Sequence, residues 1–458
     1  MKSALEGIST LPFWLDDPAR PEPTPPLIGP RGADLAIVGG GFTGLWTALQ
    51  AKEADPDRSV VLLEAETVGW AASGRNGGFC SASLTHGADN GAAHLPGENA
   101  RLIELGLENL DAIEASVARY DLDCEFERTG EITIATEAYQ VEDLRAGHDP
   151  AHGIYWLDRD ELAARVRSPQ YLGGLWDSRG NAMINPAKLC WELRRVLLEL
   201  GVTVHENSPV RSLTADSTSV TLKTDRGLVK ANRVALGTNV FPSLLRRTRL
   251  HTVPVYDYAL MTEPLSAEQL EAIGWHGREG LNDSANRFHY FRLSADNRIL
   301  WGGWDAVYHF GGKVQSRYDQ RQETFETLSR QFFETFPDLR GLRFTHAWGG
   351  AIDTCTRFFP FFTTAHDGRV AYTAGFTGLG VGASRFAGRV MLDLLSETDT
   401  ELTQLEMVRS KPLPFPPEPF AWAGITATTK ALIAADENQG RRGLLLRTLD
   451  RFGLGFDS

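Results

Sequence analysis

At 458 residues the chain exceeds what one hydrophobic core usually serves, so two domains are expected. Its 42% hydrophobic and 23% charged residues are globular values. A net charge of −13 argues against nucleic acid or an anionic membrane as partner, because each calls for a basic field. Cys80, Cys124, Cys190 and Cys355 are scattered, with no C-x-x-C pair and no metal-ligand spacing. That pattern predicts no metal site and a reducing compartment.

The first residues, Met1-Lys-Ser-Ala-Leu-Glu6, lack the apolar core of a signal peptide, and no stretch reads as a transmembrane helix. The expected location is cytoplasmic. Six prolines between Pro18 and Pro30 predict an extended arm over residues 18–30. Leu35-Ala-Ile-Val38 is an apolar run that enters Gly39-Gly-Gly-Phe-Thr-Gly44. A helix from Leu45 to about Glu53 follows, then a second apolar run, Val60 to Leu63, ending in Glu64. Strand, glycine turn, helix and strand closed by an acid predict a dinucleotide site. Gly39 permits the tight turn and Gly41 lets the backbone approach a pyrophosphate. Gly44 lets helix and strand pack closely, with the helix N-terminus turned to the phosphates. Glu64, twenty residues after Gly44, is placed to accept from a ribose diol and would repel a 2′-phosphate.

From Ala65 to Gly78 glycine and small polar residues argue against a regular element. Leucines at helical spacing predict a long helix from about Gly97 to Tyr120. Asn185-Pro-Ala-Lys-Leu189 opens another, which Gly201 stops before a short strand to His205. Alternating runs near residues 209–214, 218–224 and 228–236, then 253–262 and 287–304, read as strands. An amphipathic helix from about Gln320 to Phe336 ends before Pro337. Val370 to Ala374 is strand-like and enters Gly375-Phe-Thr-Gly-Leu-Gly-Val-Gly382, with a helix from Ala383 to Leu395. This second strand, glycine loop and helix lies over three hundred residues beyond the first. The nucleotide domain is therefore expected to be discontinuous, with the other domain inserted.

Six segments carry a resemblance to a known family: Gly39 to Gly44, Gly69-Trp-Ala-Ala-Ser-Gly-Arg-Asn-Gly-Gly78, Asn185 to Leu189, Tyr290-Phe-Arg292, Trp348-Gly-Gly350 and Gly375 to Val381. Together they make the chain resemble the D-amino acid oxidase / glycine oxidase / sarcosine oxidase family of flavoproteins, closest to its gamma-glutamylputrescine oxidase-like branch. The resemblance implies an α/β fold: a Rossmann-like FAD-binding domain of glutathione-reductase type, with an inserted α+β substrate domain built on a mostly antiparallel sheet. It divides the chain into residues 1–90, 181–245 and 346–400 of the FAD-binding domain, residues 91–180 and 246–345 of the substrate domain, and a C-terminal tail, 401–458. It implies non-covalent FAD. Gly39, Gly41, Phe42, Thr43, Gly44, Glu64 and Ala65 would meet its adenosine and phosphates, with Val210 beside the adenine. Ser73, Gly74, Arg75, Asn76, Gly77 and Gly78 would line the flavin. Gly375, Thr377, Gly378, Leu379, Gly380 and Val381 would aim amides and a helix N-terminus at its pyrimidine ring, which favours the reduced anion.

The resemblance also exposes departures. Where glycine-oxidase-like members carry a carboxylate-binding arginine this chain has Ile352, so a simple α-amino acid is disfavoured unless Arg292 or Arg357 compensates. Cys355 is offset from the cysteine that carries flavin in monomeric sarcosine oxidases. The lysine that promotes oxygen reduction there would fall near Trp301, and none is present, so molecular oxygen and another electron acceptor both stay open. Tyr256, Tyr258, His289, Tyr290, Trp301, Trp304, Trp348 and Phe79 fall on segments the family places over the flavin, and about half are expected to be core. An aromatic wall suits a cationic amine. The expected catalytic set is Asp353 to attract the amine and His289 to take its proton, with Tyr290, Trp301 and Trp348 around it. The leading expectation is FAD-dependent oxidation of a primary or secondary amine to an imine that water hydrolyses. The alternatives are an N-substituted or unusual amino acid as substrate, or a flavin subunit of an electron-transfer complex.

Overall fold

Leu35 to Val38 are apolar at every position because they are buried on both faces. They form the inner half of strand Gly29–Val38, which lies between the parallel strands Val60–Leu63 and Gly227–Leu236. Thr203–His205 extends this sheet beyond Val60–Leu63, and Val370–Ala374 extends it beyond Gly227–Leu236, both in parallel. Phe361–Ala365 closes one edge antiparallel, and a meander of Ser212–Ala215 and Val220–Lys223 completes eight strands. The structure is a computed structural model and describes residues 2–451. Residue 1 of the first segment and residues 452–458 of the C-terminal one lie outside the described residues.

Helix Phe42–Ala54 is buried all round from Phe42 to Lys52, sandwiched against helices Pro186–Glu199 and Gly380–Leu395. A Cβ at Gly388 would stand 3.0 Å from the Thr47 amide nitrogen, so a glycine there lets the two helices approach closely.

The second sheet has nine strands. Across it run Val307–Tyr308, Val253–Thr262, Ile299–Gly303, His289–Leu293, Gly280–Asp283, Glu131–Ala135, Gly173–Asp177 and Ile154–Leu157, with Phe344–Thr354 also paired to Val253–Thr262. One neighbouring pair, Gly280–Asp283 with Glu131–Ala135, is parallel, and the rest are antiparallel. Helix Gln322–Thr335 covers one face over an aromatic core that includes Tyr258, Phe291, Trp301, Phe332 and Phe336.

Several boundaries move. The segment 346–400 was assigned to the nucleotide domain, yet strand Phe344–Thr354 pairs along its length with Val253–Thr262 and belongs to the second sheet. Helix Asn99–Arg119, inside the segment 91–180, instead packs on Gly380–Leu395 and puts Leu110 and Ile113 into the nucleotide-domain core. The first strand starts at Gly29, inside the proline arm, because residues 29–33 pair with Gly227 to Ala231. Helices begin at Phe42 and Gly380, earlier than apolar periodicity showed, since each starts within its glycine loop. The glycine-rich stretch after Glu64 contains one helical turn, Ala72–Arg75. The C-terminal segment carries an eighteen-residue helix, Phe420–Glu437, rather than a featureless tail.

Candidate functional site

A cavity of about 1780 Å³ runs from the carboxyl ends of the parallel strands to the uncovered face of the second sheet. It exceeds the ~300–1,000 Å³ of a small-ligand site, which suits a dinucleotide together with a substrate. At its nucleotide end Gly39 has φ 112°, a backbone state that glycine alone tolerates well. A Cβ on Gly44 would overlap the Gly39 carbonyl oxygen, so helix and turn pack in direct contact. Gly41 caps helix Phe42–Ala54, and a side chain on it would run into the Ser73 hydroxyl, which accepts from the Phe42 amide at 3.0 Å. Thr43, Ala65 and Val210 line the same end.

Glu64 is buried, which pushes its carboxyl up, and it holds the turn in shape. One oxygen accepts from the Gly40 amide at 2.5 Å, the other from the Glu66 amide and the Trp70 indole at 2.9 and 3.0 Å. The place of Glu64 in the cavity wall at the end of Val60–Leu63 is where a ribose hydroxyl would be met. The Trp70 donor was invisible in the sequence. The turn Ala72–Arg75 is closed by Asn76, whose amide donates to the Ala72 and Ser73 carbonyls while its oxygen accepts from Gly78. Gly74 sits against the Gly69 carbonyl, and Arg75 pairs with Asp319 at 2.7 Å. Gly77 leaves its side-chain space to the Tyr290 ring. At the carboxyl end of Gly227–Leu236, the Asn239 side-chain oxygen lines the cavity and has no partner among the described residues. Strand-end position could have flagged it. Glycine cradle, buried ribose acceptor and orphaned amide oxygen fit FAD.

The late loop follows strand Val370–Ala374. Gly375, Thr377 and Gly378 have φ of 83°, 49° and 94°, and helix Gly380–Leu395 starts within the cavity wall at Gly380 and Val381, after Leu379. Asp353 organises this loop: its Oδ2 accepts from the Gly375 amide at 2.6 Å, with the Phe376 and Thr377 amides also directed at it. Burial pushes the Asp353 carboxyl up to about 7. This puts holding the loop before its expected role as amine anchor, because Oδ2 is taken by the Gly375 amide. Cys355 is buried behind the loop, its Sγ donating to the Phe359 and Gly375 carbonyls.

On the second sheet the alternation of side chains divides the remaining candidates. Tyr256, Tyr258, Trp301 and His289 point to the helix-covered side. His289 Nδ1 meets Asp283 at 2.6 Å and Nε2 meets Gln331 at 3.1 Å, and its ring lies between Trp301 and Trp304. Trp301 is 1% exposed among Phe291, Phe332 and Phe336. Both are core residues, a correction to the expected catalytic set. Tyr290 and Trp348 do line the cavity. Trp348 donates its indole N–H to the Arg75 carbonyl at 2.8 Å, and Phe79 stands edge-on to Tyr290.

The residue that sequence reading missed is Asp257. It lies between two core tyrosines and so faces the opposite way, into the cavity, where its Oδ2 accepts from the Tyr290 hydroxyl at 2.6 Å. Burial pushes its carboxyl up to about 6, and the Tyr290 hydroxyl is pushed well above its usual value by burial and by Asp257. Strand periodicity would have found Asp257. Ile352 lines the cavity two positions from Gly350, the register partner of Asp257. Neither arginine replaces a carboxylate hook. Arg292 donates to the Gly78, Ile184 and Leu293 carbonyls, and Arg357 to Pro360, Met407 and Ser410. Among the described residues no cluster of His, Cys, Asp and Glu could hold a metal ion, and no helix is long and apolar enough to cross a membrane.

Known proteins with these features converge. The chain is 28% identical over 398 residues to the probable oxidoreductase OrdL of Haemophilus influenzae, covering 83% of this chain and 87% of that one. It is 29% identical over 374 residues to the gamma-glutamylputrescine oxidoreductase of Escherichia coli, covering 79% and 83%. The crystal structure of glycine oxidase from Geobacillus kaustophilus shares the fold, with a TM-score of 0.67 at 19% identity, over 83% of this chain and 99% of that one. A sequence model of the FAD dependent oxidoreductase (DAO) family matches residues 34–394, more than half the chain, and to that family of FAD-dependent oxidoreductases the chain belongs.

Proposed function

We propose that the chain oxidises a primary or secondary amine, held beside the flavin by Asp257 and Tyr290. The observation that carries this reading is the 2.6 Å contact between the two side chains in the wall of the cavity. Bound FAD supplies the acceptor for a hydride from the carbon next to nitrogen, and Gly375 to Val381 would hold its pyrimidine ring. The ionised Asp257 attracts the ammonium, and the Tyr290 hydroxyl fixes the carboxylate's orientation. With its carboxyl at about 6, Asp257 is also placed to take the proton that the amine must lose before it reacts. Trp348 and Phe79 supply π faces and exclude water. Water then hydrolyses the released imine to a carbonyl product, and molecular oxygen takes up the electrons as hydrogen peroxide. The name of the Escherichia coli relative, gamma-glutamylputrescine oxidoreductase, supports an amine substrate. Ile352, with Arg292 and Arg357 both engaged elsewhere, supports it further, since none of these three positions offers a guanidinium to a neutral amino acid's carboxylate.

A second reading is an amine carrying a carboxylate at its far end, as in an N-substituted or unusual amino acid. Arg287 favours it: its guanidinium lies 4.1 Å from the Trp304 ring centroid in the cavity wall, and its Nε is 3.8 Å from Asp436. The test is anaerobic mixing of the yellow holoprotein with a panel of amines and amino acids, followed by flavin absorbance. Amines should bleach the flavin quickly and glycine or D-alanine poorly. Fast reduction by glycine or D-alanine overturns the first reading. Peroxide release on admitting air checks the acceptor, and its absence points to another one.

A further inference from the structure

The family match ends at residue 394, and the chain beyond it returns over the cavity. Helix Phe420–Glu437 turns a broad face to the opening, with Ala421, Gly424, Ile425, Thr428 and Leu432 among the residues along it. This roof helix is thinly packed, with Ala421 and Ala435 its buried residues. Two carboxylates hold its ends. Glu418 accepts from the Tyr308 hydroxyl at 2.6 Å and the Gly311 amide at 3.0 Å. Asp436 accepts from the Asn286 amide and side chain at 3.0 and 2.7 Å, and from the Arg287 amide at 3.1 Å. The donors sit on strand Val307–Tyr308 of the second sheet and on loops beside it, so the helix is tied to the substrate side of the cavity.

We infer that the roof helix is the wall that sets how large a body the substrate carries, with Gly424 as its size-determining position. The inference rests on the reading that the space by Asp257 and Tyr290 holds the substrate. Gly424 has no local reason to be glycine. It lies inside a helix, where glycine is the poorest former after proline. A Cβ built on it meets nothing within 4 Å. Gly302 on the sheet differs, since its missing side chain is replaced by the Tyr290 ring. Gly424 is exposed and is one of the residues at the cavity opening, so the space beside it is open rather than a packing contact. The helix offers apolar residues and two hydroxyls, Thr428 and Thr429. The sheet opposite offers Thr133, Asn282 and Glu131. Such a chamber takes an elongated amine with an apolar edge towards the helix and hydrogen-bonding groups towards the sheet.

The test uses the holoenzyme variants Gly424→Trp and Leu432→Ala with a series of primary amines from methylamine to hexylamine, each followed by anaerobic flavin reduction. FAD content and melting temperature are the folding controls. In Gly424→Trp the ratio of apparent Kd between the longest and shortest amine should rise at least tenfold. In Leu432→Ala, which widens the chamber, that ratio should fall. A folded Gly424→Trp that shifts all amines equally or none overturns the size role while leaving the amine reading intact. If Gly424→Trp does not fold, an unchanged ratio in Leu432→Ala overturns it instead. Failure of every amine to reduce the wild type overturns the amine reading and this inference together.

Discussion

The two ends of the cavity are built from different materials. At the nucleotide end the working parts are backbone: amides of the Gly39–Gly44 turn, the Ser73–Gly78 segment and the Gly375–Val381 loop, shaped by glycines, of which Gly39, Gly44, Gly74 and Gly78 have their side-chain space already occupied. At the substrate end the working parts are side chains on alternate residues of one sheet face, with Asp257, Tyr290, Asn282 and Glu131 contributed by four strands. A backbone site tolerates almost no added volume but little depends on charge. A side-chain site tolerates volume and depends on one or two charges. Substitutions at the two ends should therefore fail in different ways.

The largest effect is expected at the backbone end. Gly44→Val would drive a branched side chain into the Gly39 carbonyl and the Ile37 side chain. Overpacking of this kind costs about 3 kcal/mol, so the variant should lose stability in denaturant titration and purify without yellow colour. Wild-type stability with full FAD content would show that the turn yields, and the contrast between the two ends would go.

Next comes the charge. Asp257→Asn keeps shape and removes the anion, so the apparent Kd for amines should rise about fiftyfold, or roughly 2–3 kcal/mol, with FAD content unaltered. The same group sets a pH limit. Its carboxyl is raised to about 6, so the neutral acid persists to higher pH than usual. The ammonium binds the ionised form, so affinity is complete from about one unit above 6, is halved near 6, and falls towards tenfold per unit below it. Asp257→Asn should abolish that slope. A slope that survives in the variant assigns the titration to another group.

The contrast also explains what could be read before the fold was known. A backbone site needs consecutive residues, so its turns, strands and closing acid stand together in the sequence. A side-chain site is scattered and depends on strand phase, where a slip of one residue exchanges faces. Tyr256, Asp257 and Tyr258 are adjacent, and the aromatic pair draws attention from the acid whose carboxylate turns to the cavity. His289 and Tyr290 divide in the same way. Asp353 misled for a different reason: an acid near a binding loop can serve the ligand or the loop, and only the Gly375 amide at 2.6 Å distinguishes them. The roof helix was illegible because its apolar and small residues are spread around the helix, leaving no clear periodic face.

A smaller effect is expected at Asp353, where the two ends meet. Asp353→Asn turns an acceptor into a group that can present N–H to the Gly375 amide, leaving buried donors unpaired at about 1–2 kcal/mol. FAD should dissociate faster and the melting temperature fall, while the ratio of amine affinities stays as in the wild type. Loss of amine binding with normal FAD retention would return Asp353 to the substrate.

The smallest effect on the chemistry is expected at His289, and it decides whether the sheet divides the residues as described. His289→Phe keeps a flat ring between Trp301 and Trp304 and removes both polar contacts. Asp283 retains the His289 backbone amide at 2.9 Å, so the main cost falls on the Gln331 side chain, about 1–3 kcal/mol of stability. The rate of flavin reduction by amines should stay within about twofold, because the imidazole faces the helix-covered side and reaches the cavity only through its neighbours Asp283 and Trp304. A general base in direct contact with substrate contributes about a hundredfold or more. A loss of that size, with folding intact, would mean that the proton leaves through Asp283 to His289. The polar face and the aromatic face would then form one catalytic unit through the sheet, and Asp257 would keep the ammonium without taking its proton.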